Sequence, residues 1–449
     1  MPEILAARWI LPIEGPVIED GEVVVEDGTI QAVRPRTAPA SDVREFGSAV
    51  IMPGLVNAHT HLEYTAQRGF LEDVPFFPWI RALTAAKARL QREDWLASAR
   101  LGALESLAAG VTSIGDNTDA GVSAQVAAET GMRAVIYQEF FGIDPREEAG
   151  AILRSLADKL TALRAYESDR VTIAISPHAP YTVRPELFAA LLSDPVLGRY
   201  RTSIHTAESP AEAALVRNGS GPFAEMLTRR GIPWKAFGGT STEYLDSLGA
   251  VRSGALLVHC VHQSAADISL VAKSGASIVH CPKSNGKLGA GIAPLGQWLR
   301  QQGLNVALGT DSAVSNNTLD LFEEMRFALL TARAASAAVE AVSARHVLRM
   351  ATMGGAHALG IGSVAGSLTP GKRADVTVVS LGRPHTVPAT DPESAVVYSA
   401  RADDVVLTMC NGVVLYDTGS WTAMDPVSVM ADAEAVRRKC ASTQKENHE

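Results

Sequence analysis

The feature that most constrains the fold is a regular alternation of apolar strands with longer Ala- and Leu-rich segments between residues 50 and 359. The intervening segments include Trp95 to Ala109, Ala211 to Arg229 and Ala265 to Ala272, whose composition favours helices. Eight such units match a (β/α)8 barrel, in which active sites gather at the C-terminal strand ends. The eight predicted strands are Val50 to Val56, Val111 to Ile114, Ala134 to Phe140, Val171 to Ile175, Thr202 to His205, Ala255 to His259, Ala276 to His280 and Val306 to Leu308.

Both ends of the chain have β character instead. The pairs Asp27-Gly28 and Asn411-Gly412 each separate two apolar runs and are strong hairpin signals. Because the two ends flank one barrel, they predict a single composite β-sandwich. The predicted domains are residues 1–55 with 362–425 for the sandwich, 56–361 for the barrel, and 426–449 for a C-terminal helix that ends in a polar tail.

Composition excludes several classes of protein. A formal net charge of -9 argues against a surface for nucleic acid polymers, which needs clustered Lys and Arg, but it leaves a small aromatic substrate open. No apolar run approaches the roughly 20 residues of a membrane span, and no signal-peptide core is visible. The four cysteines are too few and too scattered to cross-link a chain of 449 residues. We therefore expect a cytoplasmic protein that binds no membrane.

Polar residues occur where several of the apolar strands stop. His59 and His61 end the first strand, and strand alternation points them to the same side while Thr60 points away. His205 ends the fifth strand and Asp311 follows the eighth. All these ends face the same side of a barrel, so the four residues form a sensible ligand set for one zinc-type or iron-type ion.

Each of these residues also has a simpler interpretation. A single His-x-His pair is a weak signal, and His205 or Asp311 alone would be a capping or hydrogen-bonded loop residue. The coincidence of all four at ends of the first, fifth and eighth strands favours the metal site. Cys260 and Cys281 immediately follow strand histidines, so they should point away from the site and serve in packing.

Several motifs closely resemble the amidohydrolase superfamily, in particular its branch of nucleobase, nucleoside and triazine aminohydrolases and chlorohydrolases. The resemblance covers nearly the whole chain and implies a distorted (β/α)8 TIM barrel with a flanking composite β-sandwich. The matching pieces are Met-Pro-Gly-Leu-Val-Asn-Ala-His-Thr-His at 52–61, Pro-His-Ala-Pro-Tyr at 177–181, His-Thr-Ala-Glu at 205–208, His-Cys-Val-His at 259–262, His-Cys-Pro-Lys-Ser-Asn at 280–285, Leu-Gly-Thr-Asp-Ser at 308–312 and Pro-Gly-Lys-Arg-Ala-Asp at 370–375.

The resemblance implies roles for individual residues. It makes the four strand-end residues the metal ligands, Glu208 the proton shuttle and His259 the residue that orients or polarises the attacking water. A bound divalent ion lowers the pKa of water toward about 7, Asp311 can take a proton from it, and Glu208 can protonate a ring nitrogen while ammonia leaves. Taken alone, Glu208 would be a helix N-terminal carboxylate. We prefer His259 to His262, because His262 lies in the loop beyond the strand.

The fourth strand carries no lysine at its end, where binuclear relatives bridge two metals with a carboxylated lysine. Its absence predicts one divalent ion per chain. Zinc is the first expectation, and ferrous iron also suits three histidines and an aspartate.

The substrate-binding residues are expected in the loops over the same strand ends: Glu63, Glu72, His178, Ser284 and Asn285. In nucleoside-deaminating relatives, a glutamate like Glu72 and a histidine like His178 contact ribose hydroxyls, and a carboxylate can accept two bonds from a vicinal diol. Glu72 is otherwise a solvated loop charge. Glu63, after His-Thr-His-Leu, and the segment Tyr137-Gln138-Glu139 are similar to aminodeoxyfutalosine deaminases.

The leading hypothesis is therefore deamination of a 6-aminopurine nucleoside, either aminodeoxyfutalosine or an adenosine derivative such as S-adenosylhomocysteine or methylthioadenosine. Alternatives are a triazine chlorohydrolase or aminohydrolase, a guanine or cytosine deaminase, and a cyclic amide hydrolase. A more distant alternative is a non-catalytic scaffold, which the complete ligand set disfavours. The Ala-rich barrel exterior is compatible with a homodimer.

Overall fold

The computed structural model describes residues 2–37 and 43–446, which form two sheets and a set of surrounding helices. The strands are β1 Glu3–Ile10, β2 Ile18–Glu26, β3 Thr29–Pro35, β4 Val43–Glu45, β5 Ala49–Pro53, β6 Leu55–His61, β7 Val111–Thr118, β8 Arg133–Phe140, β9 Val171–Pro177, β10 Thr202–Thr206, β11 Ala255–His259, β12 Ser277–His280, β13 Asn305–Leu308, β14 Asp311–Ser312, β15 Val376–Ser380, β16 Val405–Cys410, β17 Val413–Asp417 and β18 Ser420–Trp421.

Most of the helices follow strands of the central sheet, and the last two follow strands of the other sheet. They are α1 Phe76–Lys87, α2 Arg92–Ala108, α3 Ser123–Thr130, α4 Ala149–Leu163, α5 Pro185–Ser193, α6 Pro210–Asn218, α7 Pro222–Arg229, α8 Ser241–Ser247, α9 Ala265–Ser274, α10 Pro282–Lys287, α11 Leu295–Arg300, α12 Ala313–Asn316, α13 Leu321–Ser336, α14 Ala344–Arg349, α15 Gly355–Leu359, α16 Pro392–Ser394 and α17 Pro426–Glu446.

The central sheet is parallel throughout and runs in the order β13-β12-β11-β10-β9-β8-β7-β6-β14. Its first and last members, β13 and β14, are separated in the chain only by Gly309 and Thr310, so the sheet curls back on itself. A Cβ atom at Gly309 would lie 2.8 Å from the Cβ of His59, which explains why only glycine fits where the last segment approaches β6. This curled sheet agrees with the predicted barrel.

Each predicted barrel strand overlaps an observed one, but the first prediction was too simple. The run from Val50 to Val56 is two strands, since β5 pairs with β1 and β15 whereas β6 pairs with β7 and β14. The chain changes sheets at Gly54, whose N–H donates to Asp375, and a Cβ there would clash with Thr112 at 2.1 Å. His59 and His61 consequently lie within β6 and not beyond its end.

The second sheet draws its strands from both ends of the chain, in the order β18-β17-β16-β15-β5-β1-β2-β3, with β4 beside β1. The antiparallel pairing of β15 with β5 joins the two ends. The terminal strands thus combine as predicted, but their hydrogen bonds form one sheet, so a sandwich is not confirmed. The predicted hairpin turns are present, with Glu26 opposite Thr29 and Cys410 opposite Val413.

Two helix predictions need adjustment. The segment 211–229 is divided into α6 and α7, because Gly219 and Gly221 adopt left-handed backbone conformations with φ of 63° and 85°. Helix α17 covers the predicted C-terminal helix, while the polar tail at 447–449 lies outside the described residues. Within residues 2–37 and 43–446, none of the helices has the length and apolar character needed to cross a bilayer.

Candidate metal centre and active site

Strand β6 carries the first two predicted ligands. His59 and His61 are separated by one residue, and both are buried in the mouth of the curled sheet. Neither ring nitrogen of His59 has a hydrogen-bond partner among the described residues, and the same holds for Nδ1 of His61. Buried polar atoms are rarely left without a partner, so these nitrogens indicate a group that the protein atoms alone do not supply.

The third and fourth ligands come from β10 and β14. His205 donates from Nδ1 to the carbonyl oxygen of His178 at 3.0 Å, which leaves its Nε2 free to bind an ion. Asp311 Oδ1 lies 3.6 Å from His59 Nε2 and 3.5 Å from His61 Nε2. Its other carboxylate oxygen, Oδ2, accepts hydrogen bonds from the hydroxyl groups of Ser284 and Ser315.

The four residues fit a divalent ion. Their ligand atoms all lie within 4.8 Å of one another. Burial lowers the pKa of His59, His61 and His205, so the imidazoles are neutral as ligands must be. Burial alone would raise the pKa of Asp311, but the adjacent histidines outweigh it and hold that pKa well below its usual range. Three neutral imidazoles and one carboxylate are a ligand set typical of zinc or iron.

Glu208 lies beside this set at the start of the segment leading to α6. Its Oε1 is 3.8 Å from His259 Nε2, and its Oε2 accepts a hydrogen bond of 3.4 Å from the Tyr181 hydroxyl. Burial, reinforced by the charge of Asp311, raises the pKa of Glu208 to about 8. Glu208 is therefore a carboxyl group that can hold a proton at neutral pH and deliver it.

A second carboxylate fixes the backbone under Glu208. Glu212, one turn into α6, accepts hydrogen bonds from the backbone N–H groups of Ala207 at 2.8 Å and Glu208 at 3.0 Å. Ala207 has a left-handed φ of 50°, a conformation that the surrounding structure must impose. Sequence analysis missed Glu212, although a glutamate four residues after a proposed proton shuttle was a visible signal.

His259 is oriented by Asn285. The imidazole donates from Nδ1 to Asn285 Oδ1 at 2.8 Å, so its Nε2 faces Glu208 as an acceptor. His259 also has a left-handed φ of 72°, which turns the side chain inward at the end of β11. His262, by contrast, bonds to the Ala290 carbonyl through Nε2 at 2.8 Å. His259 thus lines the cavity beside Glu208, and its preference over His262 as the water-orienting residue stays a prediction.

A cavity of about 710 Å³ opens over these residues. We define its metal end by the four ligands with Glu208 and His259, and its distal end by Tyr64, Lys87, Trp95 and Asp119. The middle contains Glu139, at the end of β8, and His178. Helix α1 forms an apolar wall of the cavity with Phe76, Trp79, Ile80 and Leu83.

The distal end contains an ion pair that sequence analysis missed. Lys87 Nζ lies 2.8 Å from Asp119 Oδ2 and donates to the Tyr64 hydroxyl at 2.6 Å. The carboxylate and the phenolic oxygen raise the pKa of Lys87 despite its burial, and Lys87 lowers the pKa of Asp119. Lys87 is in a helix and Asp119 in a loop 32 positions further along the chain, so no local motif links them.

Of the five predicted substrate-binding residues, only His178 lines the cavity. Ser284 lies behind Asp311, to which its hydroxyl donates at 2.5 Å, and Ser315 donates to the same oxygen at 2.9 Å. Asn285 lies behind His259, as described above. In this structure both side chains therefore contact predicted catalytic residues, and their contact with a substrate stays a prediction.

Glu63 and Glu72 are also engaged elsewhere. Glu63 is buried and accepts backbone hydrogen bonds from Asp119, Ala120 and Val122 at 2.9 to 3.0 Å, so it holds the loop after β7. Glu72 is outside the cavity lining, where its carboxylate accepts from Lys287 at 3.1 Å and Asn317 at 2.9 Å. Glu72 therefore does not line the cavity in this structure, and its contact with ribose stays a prediction.

The curled α/β sheet carries at its mouth three histidines and an aspartate that could hold a metal ion. A family model described as the Amidohydrolase family matches residues 50–415. The chain belongs to this family, and the prediction of an enzyme that hydrolyses carbon–nitrogen bonds is confirmed.

Individual relatives cover nearly the whole chain. A 5-methylthioadenosine/S-adenosylhomocysteine deaminase from Moorella thermoacetica is 32% identical over 94% of this chain and 96% of its own. A 5'-deoxyadenosine deaminase from Methanothermobacter thermautotrophicus is 34% identical over 94% of this chain and 97% of its own. Among solved structures, a zinc-bound adenosine deaminase from Xanthomonas campestris has a TM-score of 0.85 and 31% identity and covers 98% of both chains.

Proposed function

We propose that this protein is a zinc-dependent deaminase of 6-aminopurine nucleosides that are modified at the 5′ position. The observation that carries the proposal is the arrangement of Glu208 and His259 beside a buried His3Asp set in one cavity. The names of the relatives from Moorella thermoacetica and Methanothermobacter thermautotrophicus support this substrate class.

One zinc ion would be held by His59, His61, His205 and Asp311. Zinc in such a site lowers the pKa of a bound water toward about 7, which supplies a nucleophile at neutral pH. The remaining chemistry belongs to the side chains around it.

Asp311 and Glu208 move the protons. Asp311 is kept ionised by its hydroxyl donors and histidine neighbours, so it can take a proton as water adds to the amino-bearing ring carbon. Glu208, with its raised pKa, donates a proton to the adjacent ring nitrogen. His259, held by Asn285, orients the attacking water. Asp311 then passes the proton it took from water to the leaving amine, and Glu208 regains a proton from the added hydroxyl as the carbonyl forms and ammonia departs.

The cavity supports a substrate longer than a free nucleobase. A volume of about 710 Å³ lies in the range of pockets for whole small-molecule ligands. Its α1 wall is apolar, and the charge of Lys87 at the distal end is already balanced by Asp119. An uncharged 5′-deoxy or thioether group suits this end better than a free phosphate.

The test is an ammonia-release screen with zinc-loaded protein. The substrates are adenosine, 5′-deoxyadenosine, methylthioadenosine, S-adenosylhomocysteine and aminodeoxyfutalosine, with guanine, cytosine and atrazine as comparisons. We expect turnover of 5′-modified adenosines to exceed that of every comparison compound by at least about tenfold. Turnover of a triazine or nucleobase, with none of any 6-aminopurine nucleoside, would refute the proposal.

A further inference from the structure

The middle of the cavity contains a carboxylate with unused hydrogen-bonding capacity. Glu139 lines the cavity at the C-terminal end of β8, and only 2% of its surface is exposed. Its Oε1 is buried without a hydrogen-bond partner among the described residues. Asn117 interacts with the Glu139 carboxyl group, which lowers its pKa in part, and its amide also donates to the Ser176 hydroxyl at 3.0 Å, so Oε1 is the acceptor that remains without a partner among the described residues. A buried carboxylate in this condition is costly unless a ligand satisfies it.

Glu139 is placed to contact the ribose of a bound nucleoside and not the ring carbon that reacts. One of its carboxylate oxygens lies within 4.8 Å of ring nitrogens of His178 and His205. It is thus beside the metal end, on the side toward Lys87 and Asp119, whose charges act on it. A nucleoside with its purine at the metal end and its 5′ group at the distal end places its ribose in the middle.

A second metal ion is a poor explanation for Glu139. His205 belongs to the His3Asp set, and its Nδ1 is already bonded to the His178 carbonyl, so it has no second nitrogen to offer. Without His205, only Glu139 and His178 remain as protein ligands, and His178 Nδ1 is hydrogen-bonded to Thr182 at 2.9 Å.

Other carboxylates near the cavity have their acceptors occupied. Glu63 holds the loop after β7, Glu72 is paired with Lys287 and Asn317, and Asp119 is paired with Lys87. Glu139 differs from these three because its buried Oε1 has no hydrogen-bond partner among the described residues. A ribose offers two adjacent hydroxyl donors, which match the oxygens of one carboxylate.

We infer that Glu139 accepts hydrogen bonds from the ribose hydroxyls and is the residue that selects ribonucleosides over their dideoxy analogues. This assigns to Glu139 the role that motif similarity suggests for Glu72. The inference rests on the proposed nucleoside deaminase function.

The test removes the hydroxyls and the carboxylate separately and together. Zinc-loaded wild type, Glu139→Gln and Glu72→Gln are assayed with adenosine and 2′,3′-dideoxyadenosine. Removing both hydroxyls removes two hydrogen bonds to Glu139, so wild type should prefer adenosine by about 10- to 100-fold in kcat/KM. Glu139→Gln should lose most of that preference by slowing adenosine alone, and Glu72→Gln should keep it.

Equilibrium binding gives a readout independent of turnover. The dissociation constants of inosine and 2′,3′-dideoxyinosine, measured by calorimetry, should differ in wild type and converge in Glu139→Gln. Glu139→Asp keeps a carboxyl group but shortens the side chain, so it should show an intermediate preference. This second variant covers the case in which the glutamine variant does not fold.

The outcomes separate the two hypotheses. If wild type deaminates adenosine but Glu139→Gln keeps the wild-type preference, or Glu72→Gln loses it, the assignment to Glu139 is wrong while the proposed function stands. If Glu139→Gln loses one equivalent of zinc, the residue is a metal ligand and the inference also fails. If wild type deaminates no 6-aminopurine nucleoside, both fail together.

Discussion

The two ends of the cavity differ in whether their buried polar groups have protein partners. At the metal end, His59 and His61 have buried nitrogens without partners in the part of the chain that the structure describes, and Asp311 is held ionised among them. At the distal end, Lys87 and Asp119 satisfy each other at 2.8 Å. The first arrangement needs a cation to be complete, whereas the second is complete by itself.

This difference teaches where chemistry and recognition are located. Groups at the metal end change charge or hold protons during the reaction, so we expect their substitution to lower kcat. Groups at the distal end form a fixed wall against the part of the substrate that does not react, so their substitution should act through KM. The predictions below test this division.

The largest effect is expected for Glu208→Gln. Glutamine preserves the shape but cannot donate the proton, and loss of a general acid costs about 100- to 10,000-fold in kcat. The measurement is steady-state deamination of methylthioadenosine by protein with a verified zinc content. The exposed Glu225→Gln on α7 is the matched control and should keep wild-type kcat. A Glu208→Gln enzyme within tenfold of wild type would contradict the assigned role.

A smaller loss is expected for Asn285→Ala. The substitution frees the imidazole of His259 from its 2.8 Å hydrogen bond, and loss of such an orienting partner typically costs about 10- to 100-fold. We expect the loss in kcat, with KM changed less than threefold or so, as measured by steady-state kinetics. The exposed Asn218→Ala is the control. An effect confined to KM would instead indicate a substrate contact, as the motif alone suggested.

At the distal end, Lys87→Met should raise KM about tenfold and leave kcat nearly unchanged. The substitution leaves Asp119 in a largely buried position without its counter-charge. The double variant Lys87→Met/Asp119→Asn should recover most of the loss, because it removes the uncompensated charge. If the KM of the double variant is raised by the product of the two single increases, the ammonium group itself contacts the substrate.

The smallest effect concerns stability at the middle of the cavity. Burial, with a contribution from Asp119, raises the pKa of Glu139 from its ordinary 4.5 to about 8. The folded protein therefore holds this proton more tightly than the unfolded chain, and the resulting stability is complete below pH 4.5 and lost as the pH rises through 8.

Glu139→Gln removes that dependence. The fall in Tm between pH 5 and pH 9 should be smaller in zinc-loaded Glu139→Gln than in zinc-loaded wild type. Each kcal/mol of unfolding free energy that the variant does not lose corresponds to about 2–4 °C in Tm. Thermal unfolding followed by circular dichroism provides the measurement. Parallel Tm curves for the two proteins would show that the carboxyl group is ionised without cost.

The metal end was predictable from sequence because its information is local. His59 and His61 share strand parity, and parallel strands bring His205 and Asp311 to the same end of the sheet. A polar residue at the C-terminal end of an apolar strand is a signal for this site, and the same signal could have identified Glu139 at the end of β8. It was noticed only as part of a motif.

What sequence could not supply were the partners of each side chain. In sequence Glu63 shares the parity of His59 and His61, but the strand ends at His61, and the Glu63 carboxylate accepts hydrogen bonds from the backbone N–H groups of Asp119, Ala120 and Val122. Lys87 meets Asp119 only because α1 folds over the loop after β7. The joining of both chain ends was predictable from their β character, whereas the formation of one continuous sheet depends on the pairing of β5 with β15.

The most direct test of the account is a titration of metal-free protein with zinc while ammonia release from methylthioadenosine is followed. We predict that activity rises linearly and stops rising at one equivalent of zinc per chain, because one His3Asp set holds the ion. A plateau at two equivalents, or no ammonia release at any zinc concentration, would contradict the single-metal deaminase.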